Sequence, residues 1–480
     1  MFNIQNKTIN SLLWTSIERF SIQGFQFILS IIIARLVTPT DYGLIAILNV
    51  FLALAQTFID SGFSNALIQK KNRTELDFST VFYFNLVIGI AVYCILFFTS
   101  PYIASFYDED LLSPIFKYAG LNLIITSFSL VHRTKLTIDL KFKEQAIISL
   151  IAMTLSGIIG VVLAYFGYGA WAIVSQTILN NLIACILYII TIKWHPLLAF
   201  SKDSFCNLFR FGSKLLFAGL INTLYLNLYS LIVGKWFSPS VLGYYNRAST
   251  MAQFASVNIS GIVGRVLFPI LCNKQDSYKD LVISYWKSVN LLSYLIFPLM
   301  FFICSVSEDL VLLILGEKWL FCYELLQILC LAYILTPIML LSSQYFTSVG
   351  RSDFALKAEI WKKTVSIIIL IVTFPLGIKW MCWGLVLYEI TDFIIMTFYL
   401  KKTFPIITVK EHIKVFLPII ITCLTFSIAN YIITKNIENG LLALIICLIS
   451  TIIIYFIGSI MLKINGYTLL KNLLNSFSSH

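Results

Sequence analysis

Charge is scarce in this sequence. Asp, Glu, Lys and Arg make up 12% of its 480 residues, about half the roughly 25% of an average soluble domain. Apolar residues reach 59% and the mean hydropathy is +0.88. A water-soluble globule of this size would expose more apolar surface than so few charges can interrupt. An ordinary soluble enzyme, a disordered chain and a secreted disulfide scaffold are therefore excluded. Histidine is also rare: His132, His195, His412 and His480 stand alone, without metal-ligand spacing. The ten cysteines form no C-x-x-C pair and sit mostly inside apolar runs, for example Cys94, Cys185, Cys304, Cys330 and Cys447. They read as small apolar fillers. No G-x-x-x-x-G-K-[ST] loop is present, so ATP hydrolysis by this chain is not expected, and no cofactor or metal is.

The apolar residues fall in runs of spanning length. A helix crosses the hydrocarbon core in about 20 residues. Fourteen runs near that length occur, at about 12–34, 44–68, 79–100, 112–131, 146–166, 170–192, 213–233, 244–271, 281–304, 322–347, 360–378, 380–400, 414–434 and 440–462. They are too long and too uniformly apolar for barrel strands. The first run carries Glu18 and Arg19 and lacks a small-residue cleavage site, so it reads as a retained span. The expectation is an all-α integral membrane protein with about 14 transmembrane helices.

The net charge of +11 is a topology signal. With the N-terminus inside, 24 of the 34 Lys and Arg fall in inside segments and six outside, the other four lying within spans. That asymmetry puts both termini in the cytoplasm and argues against a nucleic-acid footprint. No connecting loop is long enough for a soluble domain. Segment 308–319 reads as a short amphipathic helix at the outer interface, and 134–145 as a basic and apolar stretch on the inner leaflet. Asp108-Glu109-Asp110 forms the D-x-D that binds metal in nucleotide-sugar transferases, but it is predicted outside, away from cytoplasmic nucleotide sugars.

The chain also repeats itself. ARLVTPTDYG (34–43) and GKWFSPSVLG (234–243) match at Arg35 and Lys235, Thr38 and Ser238, Pro39 and Pro239, and Gly43 and Gly243. A weaker echo aligns DLKFKEQ (139–145) with DFALKAE (353–359). These echoes predict two parallel six-helix lobes, 1–200 and 201–405, related by a pseudo-two-fold along the membrane normal, with the substrate path between them. Residues 406–480 then add two helices and a cytoplasmic tail, the last helix facing lipid. In the turns Pro starts the next helix and Gly permits close approach.

Polar residues held in spans are costly and point inward or to water. The second run places Asn49, Gln56, Asp60 and Ser64 on one face; the eighth offers Ser249, Gln253, Ser256 and Ser260, with Arg265 about a turn further on. The first run contributes Arg19, Gln23 and Gln26, and the twelfth contributes Glu389 and Asp392. Small polar residues also serve helix packing; a carboxylate gains nothing from lipid contact. The cavity candidates are therefore Arg19, Gln23, Gln26, Asn49, Gln56, Asp60, Gln253 and Arg265. Asp60, Glu389 and Asp392 are candidates for ion coupling to Na+ or H+. Cations in a low-dielectric cleft attract phosphate.

The residues resemble a known family. DSGFSNALIQKK (60–71), DFSTVFYFNL (77–86), FGYGAWAIVSQ (166–176), VGKWFSPSVLGYYNRA (233–248), GRVLFPIL (264–271) and LGEKW (315–319), together with ARLVTPTDYGLIA (34–46), LKFKEQA (140–146) and FRFG (209–212), resemble the polysaccharide transport (Wzx-type) flippases. These belong to the multidrug/oligosaccharidyl-lipid/polysaccharide exporter superfamily, and the colanic-acid and teichuronic-acid exporter branch is the nearest likeness. The resemblance implies a flippase, not an enzyme. It would move undecaprenyl-diphosphate-linked oligosaccharide from the cytoplasmic to the outer leaflet of the bacterial inner membrane by alternating access. The product would serve O-antigen, capsule or exopolysaccharide assembly, with membrane lipid, a polysaccharide polymerase and chain-length machinery as partners. Where this branch often carries an Asp, the chain reads Asn227-Leu228-Tyr229-Ser230, so that coupling role is not carried over. A cation-coupled multidrug exporter and a membrane glycan polymerase or ligase stand as alternatives.

Overall fold

The computed structural model describes the backbone of residues 24–60, 62–273 and 277–478, and their side chains except at 211, 255, 257–270, 272, 273, 352 and 472–478. Among the described residues every regular element is a helix. The chain forms two compact units, Met1–Gly243 and Tyr244–His480. The first holds α1 (Gly24–Leu36), α2 (Pro39–Asp60), α3 (Phe63–Gln69), α4 (Glu75–Tyr107), α5 (Leu112–Ala119), α6 (Leu121–Ile138), α7 (Phe142–Tyr165), α8 (Ala170–Ile192), α9 (Lys202–Trp236) and the start of α10 (Pro239–Asn273). The second holds the rest of α10, then α11 (Tyr278–Ser305), α12 (Ser307–Ile314), α13 (Cys322–Ala332), α14 (Thr336–Ser348), α15 (Ser352–Thr373), α16 (Ile378–Thr403), α17 (Val409–Asn436), α18 (Gly440–Met461) and α19 (Asn465–Ser478). Helix α9, which the repeat assigns to the second half, packs against α2, α3 and α4 of the first unit.

Eleven helical stretches among the described residues are long and apolar enough to cross a membrane. The other three apolar runs fall on α1, α10 and α15. Only the end of the first run is described. Helix α10 carries its polar stripe along most of its length, and α15 opens with Lys357, Glu359, Lys362 and Lys363. Length and hydropathy therefore mark eleven candidate spans among the described residues and leave those three open.

Local chemistry sets the helix starts. Thr74 and Asp77 form a capping box at α4, and Ser201, Ser277, Thr408 and Asn439 accept from backbone N–H groups at the starts of α9, α11, α17 and α18. Each such cap satisfies a donor that the helix itself leaves open. Asp41 Oδ2 accepts from Thr38 Oγ1 at 2.6 Å, while Oδ1 accepts from the Ala170 N–H at 3.0 Å. One carboxylate thus joins the starts of α2 and α8.

The repeated turns meet reciprocally in the first unit. A Cβ built on Gly43 would overlap the carbonyl oxygen of Pro239, and one on Gly243 would overlap that of Pro39. Lys235 donates to the Phe106 carbonyl and to Asp108 Oδ2, the latter at 3.2 Å. Its ammonium therefore binds the end of α4, and the acidic turn acts as a cap. Burial raises the Glu109 carboxyl pKa, and repulsion from Asp110 and Asp108 adds to the rise.

Packing adds detail to two expectations. The segment at 308–319 contains a helix, α12, and Trp319 at the end of the segment is fully buried against Tyr244. The stretch 134–145 ends α6, turns at Asp139–Lys141 and opens α7. In the second unit Asn430 Nδ2 donates to Ser305 and Thr451, and Ser450 donates to its Oδ1 at 2.7 Å. That amide fastens α11, α17 and α18 together. The outer surface of α18 is apolar, with Ile445, Ile449, Ile452 and Phe456 exposed.

Gly43→Ala and Gly243→Ala are each expected to cost about 1–3 kcal/mol by overpacking against backbone that cannot yield. Among the described residues nothing lies within 4 Å of a Cβ built on Gly24, so Gly24→Ala should be neutral or slightly stabilising. Thermal unfolding of the three variants in detergent checks the contrast.

Candidate functional site

Helices α1, α2, α3, α6, α7, α8 and α9 line a cavity of about 1250 Å³ within the first unit. It is larger than typical small-molecule sites, which run to ~1,000 Å³. Asn49, Gln56 and Asp60 reach it from α2, on the face that helical periodicity selects. Asn122, Thr126, Ser129 and Arg133 of α6 form a second face at steps of four, three and four. Asn180 and Asn181 come from α8, Gln26 from α1, Asn222 and Thr223 from α9. The helix break after Asp60 leaves Gly62 at φ +69°. A Cβ there would crowd the Gly212 carbonyl of α9 at 2.8 Å, so glycine lets the two backbones approach.

The wall is held together by its own polar groups. Thr126 Oγ1 donates to Gln56 Oε1 at 3.0 Å, Asn181 Nδ2 donates to Asn122 Oδ1 at 2.8 Å, and the Thr57 and Thr223 hydroxyls meet at 3.2 Å. Two lysines of the same end of the unit are engaged elsewhere. Lys70 pairs with buried Asp77 at 2.7 Å, and Lys135 pairs with Glu75 at 2.9 Å. Asp60 Oδ1 is buried with no hydrogen-bond partner among the described residues. Arg133 is exposed into the cavity. Such a surface cannot face hydrocarbon, where unpaired amides and charges are costly; it accommodates a hydrated or hydroxyl-rich guest.

In the second unit several polar side chains of the spans pair directly with one another. Gln253 Nε2 donates to Ser249 Oγ and to the Tyr333 hydroxyl, both at 2.9 Å. Ser256 Oγ donates to the Tyr333 carbonyl at 2.8 Å. That carbonyl lies in the gap between α13 and α14, where no helical turn uses it. On α16, Glu389 accepts from Thr336 Oγ1 at 3.4 Å, and Asp392 Oδ2 lies 3.1 Å from Lys362 Nζ. Lys362 also reaches Glu359 at 3.0 Å. Glu389 and Asp392 are buried, and Asp392 Oδ1 has no hydrogen-bond partner among the described residues. No group of three or more potential metal ligands occurs among the described residues.

Of the sequence candidates, Gln26, Asn49, Gln56 and Asp60 share the first-unit cavity. Gln253, Glu389 and Asp392 belong to the second-unit network. Arg19 and Gln23 lie outside the described residues, as does the side chain of Arg265. In the sequence Arg133 and Lys362 contribute to the inside Lys/Arg excess; the spacing 122, 126, 129, 133 is the signal that marks the α6 face. Breaking a buried ion pair from one side leaves a charge uncompensated, so Lys362→Met should cost about 3–5 kcal/mol, and adding Asp392→Asn should recover much of it. Detergent melting curves of the single and double variants measure both effects.

Comparison with known proteins agrees with this architecture. A family model described as polysaccharide biosynthesis protein matches residues 32–324. The lipopolysaccharide biosynthesis protein WzxC of Escherichia coli (strain K12) is 27% identical over 362 residues, covering 75% of this chain and 74% of that protein. The teichuronic acid biosynthesis protein TuaB of Bacillus subtilis (strain 168) is 27% identical over 368 residues, covering 74% of each. The solved structure of lipid II flippase MurJ in an inward closed conformation matches with a TM-score of 0.75 at 17% identity, over 94% of this chain and 99% of that one; at that identity the likeness speaks for the fold alone. The family match spans more than half of the chain, and this multi-span membrane protein belongs to the polysaccharide biosynthesis protein family.

Proposed function

We propose that this protein is a flippase for undecaprenyl-diphosphate-linked oligosaccharide repeat units. It carries them from the cytoplasmic to the outer leaflet of the bacterial inner membrane during surface polysaccharide assembly. The observation that carries the reading is the cavity of about 1250 Å³, walled by carboxamides and hydroxyls inside a bundle of apolar helices. A lipid-linked sugar needs such a wall for its headgroup and an apolar surface for its tail. The relatives' names, for lipopolysaccharide and teichuronic acid biosynthesis, and the MurJ fold point the same way.

In the proposed cycle Gln26, Asn49, Gln56 and Asp60 meet the headgroup, and access to the cavity alternates between the two faces of the membrane. The Lys/Arg asymmetry supports cytoplasmic termini, which puts Arg133 at the cytoplasmic end. The repeat supports moving halves near 1–200 and 201–405, with 406–480 peripheral. Glu389 and Asp392 are the proposed coupling groups. Lys362 already fills the cation position beside Asp392, which favours a proton on Glu389 over a bound Na+. Polymerase and chain-length machinery would then receive the product.

Deleting the gene should trap lipid-linked repeat units in the cytoplasmic leaflet and abolish the surface glycan; leaflet-specific labelling reads this. Repeat units found outside, or intact glycan with lost drug resistance, would reject the flippase in favour of small-molecule export. Glu389→Gln should slow transport about a hundredfold, the lower end of what a positioned proton-transfer group contributes, with normal insertion. Unchanged glycan in that variant removes Glu389 from the coupling step.

A further inference from the structure

The charge on the cavity wall narrows the cargo, and the inference rests on the flippase reading above. Among the described lining residues the wall carries one acid, Asp60, and one base, Arg133. Asp60 makes no ion pair with any described residue, and its Oδ1 is buried without a hydrogen-bond partner. Arg133 has no carboxylate partner among the described residues either, while Lys70 and Lys135 are held by Asp77 and Glu75. Both free charges stand near the same ends of their helices: Asp60 is the last residue of α2, and Arg133 is a turn and a half from the end of α6. Toward the other end the polar lining is neutral, with Asn49 and Asn122. Carboxamides both donate and accept, so they pair with sugar hydroxyl and acetamido groups. Among the described residues a sugar carboxylate would find no cation to meet it there, and it would have to pass Asp60 on the way.

We infer that the cavity selects uncharged sugars. The neutral wall reads hydroxyl and acetamido groups, Arg133 at the entrance takes the phosphate, and Asp60 turns away acidic sugars. A guanidinium suits a phosphate by its paired donors; an unpaired buried carboxylate discriminates by repulsion, as like charges brought together in an interface do.

The test uses the full-length purified protein and two synthetic probes, a polyprenyl diphosphate bearing N-acetylglucosamine and the same lipid bearing glucuronate, with free polyprenol as control. The wild type should bind the neutral probe about tenfold tighter than the acidic one, the scale of 1.4 kcal/mol. Asp60→Asn should raise affinity for the glucuronate probe and narrow that ratio. Asn49→Lys, which adds a cation to the neutral wall, should make the acidic probe the better ligand. Both are gains that a misfolded variant does not mimic. Arg133→Gln should weaken both probes alike and leave polyprenol unaffected. Equal binding of the two probes by the wild type, or a ratio unmoved in Asp60→Asn and Asn49→Lys, overturns the selectivity while leaving the flippase standing. Failure of the N-acetylglucosamine probe to outbind polyprenol overturns both readings.

Discussion

A polar group on a membrane helix has to meet another polar group or water, because hydrocarbon offers neither. That constraint organises both units of this protein, and each answers it differently. In the first unit the Asn, Gln, Thr and Ser residues of seven helices and the carboxylate of Asp60 converge on one large cavity. In the second, a set of such residues is engaged in direct bonds: Tyr333 with Gln253 and Ser249, Asn430 with Ser305 and Thr451, Lys362 with Asp392. An open polar wall is a binding surface. A closed polar network holds helices in register and places charge.

Backbone geometry serves the same end. The break at Gly62 ends α2 beside Asp60, and the gap after Ala332 frees the Tyr333 carbonyl for Ser256. In both places an interrupted helix supplies polar atoms at a depth where an unbroken one would hide them. At the repeated turns glycine does the opposite work. Gly43 and Gly243 remove side-chain volume so that two helix starts meet backbone to backbone, and Asp41 in the first of those turns caps its own helix through Thr38 and ties it to the start of α8 through Ala170.

How much of the site was readable depended on what else the same residue types signal. The α2 stripe stood out because Asn49, Gln56 and Asp60 interrupt a uniformly apolar run at helical spacing. Glu389 and Asp392 stood out for the same reason. Arg133 and Lys362 did not, since Lys and Arg near a helix end are the ordinary mark of topology. The α6 face was obscured because a run of Ser, Thr and basic residues near a predicted loop reads as surface. The segment 308–319 likewise reads as an interfacial helix, although the fold buries Trp319 at its end against Tyr244.

Hydropathy, the Lys/Arg asymmetry and the repeated turn need only the order of residues, and from them follow a polytopic helical chain, its expected orientation and its internal duplication. These properties are set by transfer free energies summed along the chain, which do not depend on neighbours in space. Which polar faces converge is a different matter. Whether Gln56 meets Thr126, whether Lys362 turns to Asp392, and whether Asp60 keeps a free oxygen depend on helix rotation and crossing, set by side-chain packing between residues as far apart as 70 positions in the Gln56–Thr126 pair. Only the tertiary structure separates a charge that anchors a helix from one that awaits a ligand.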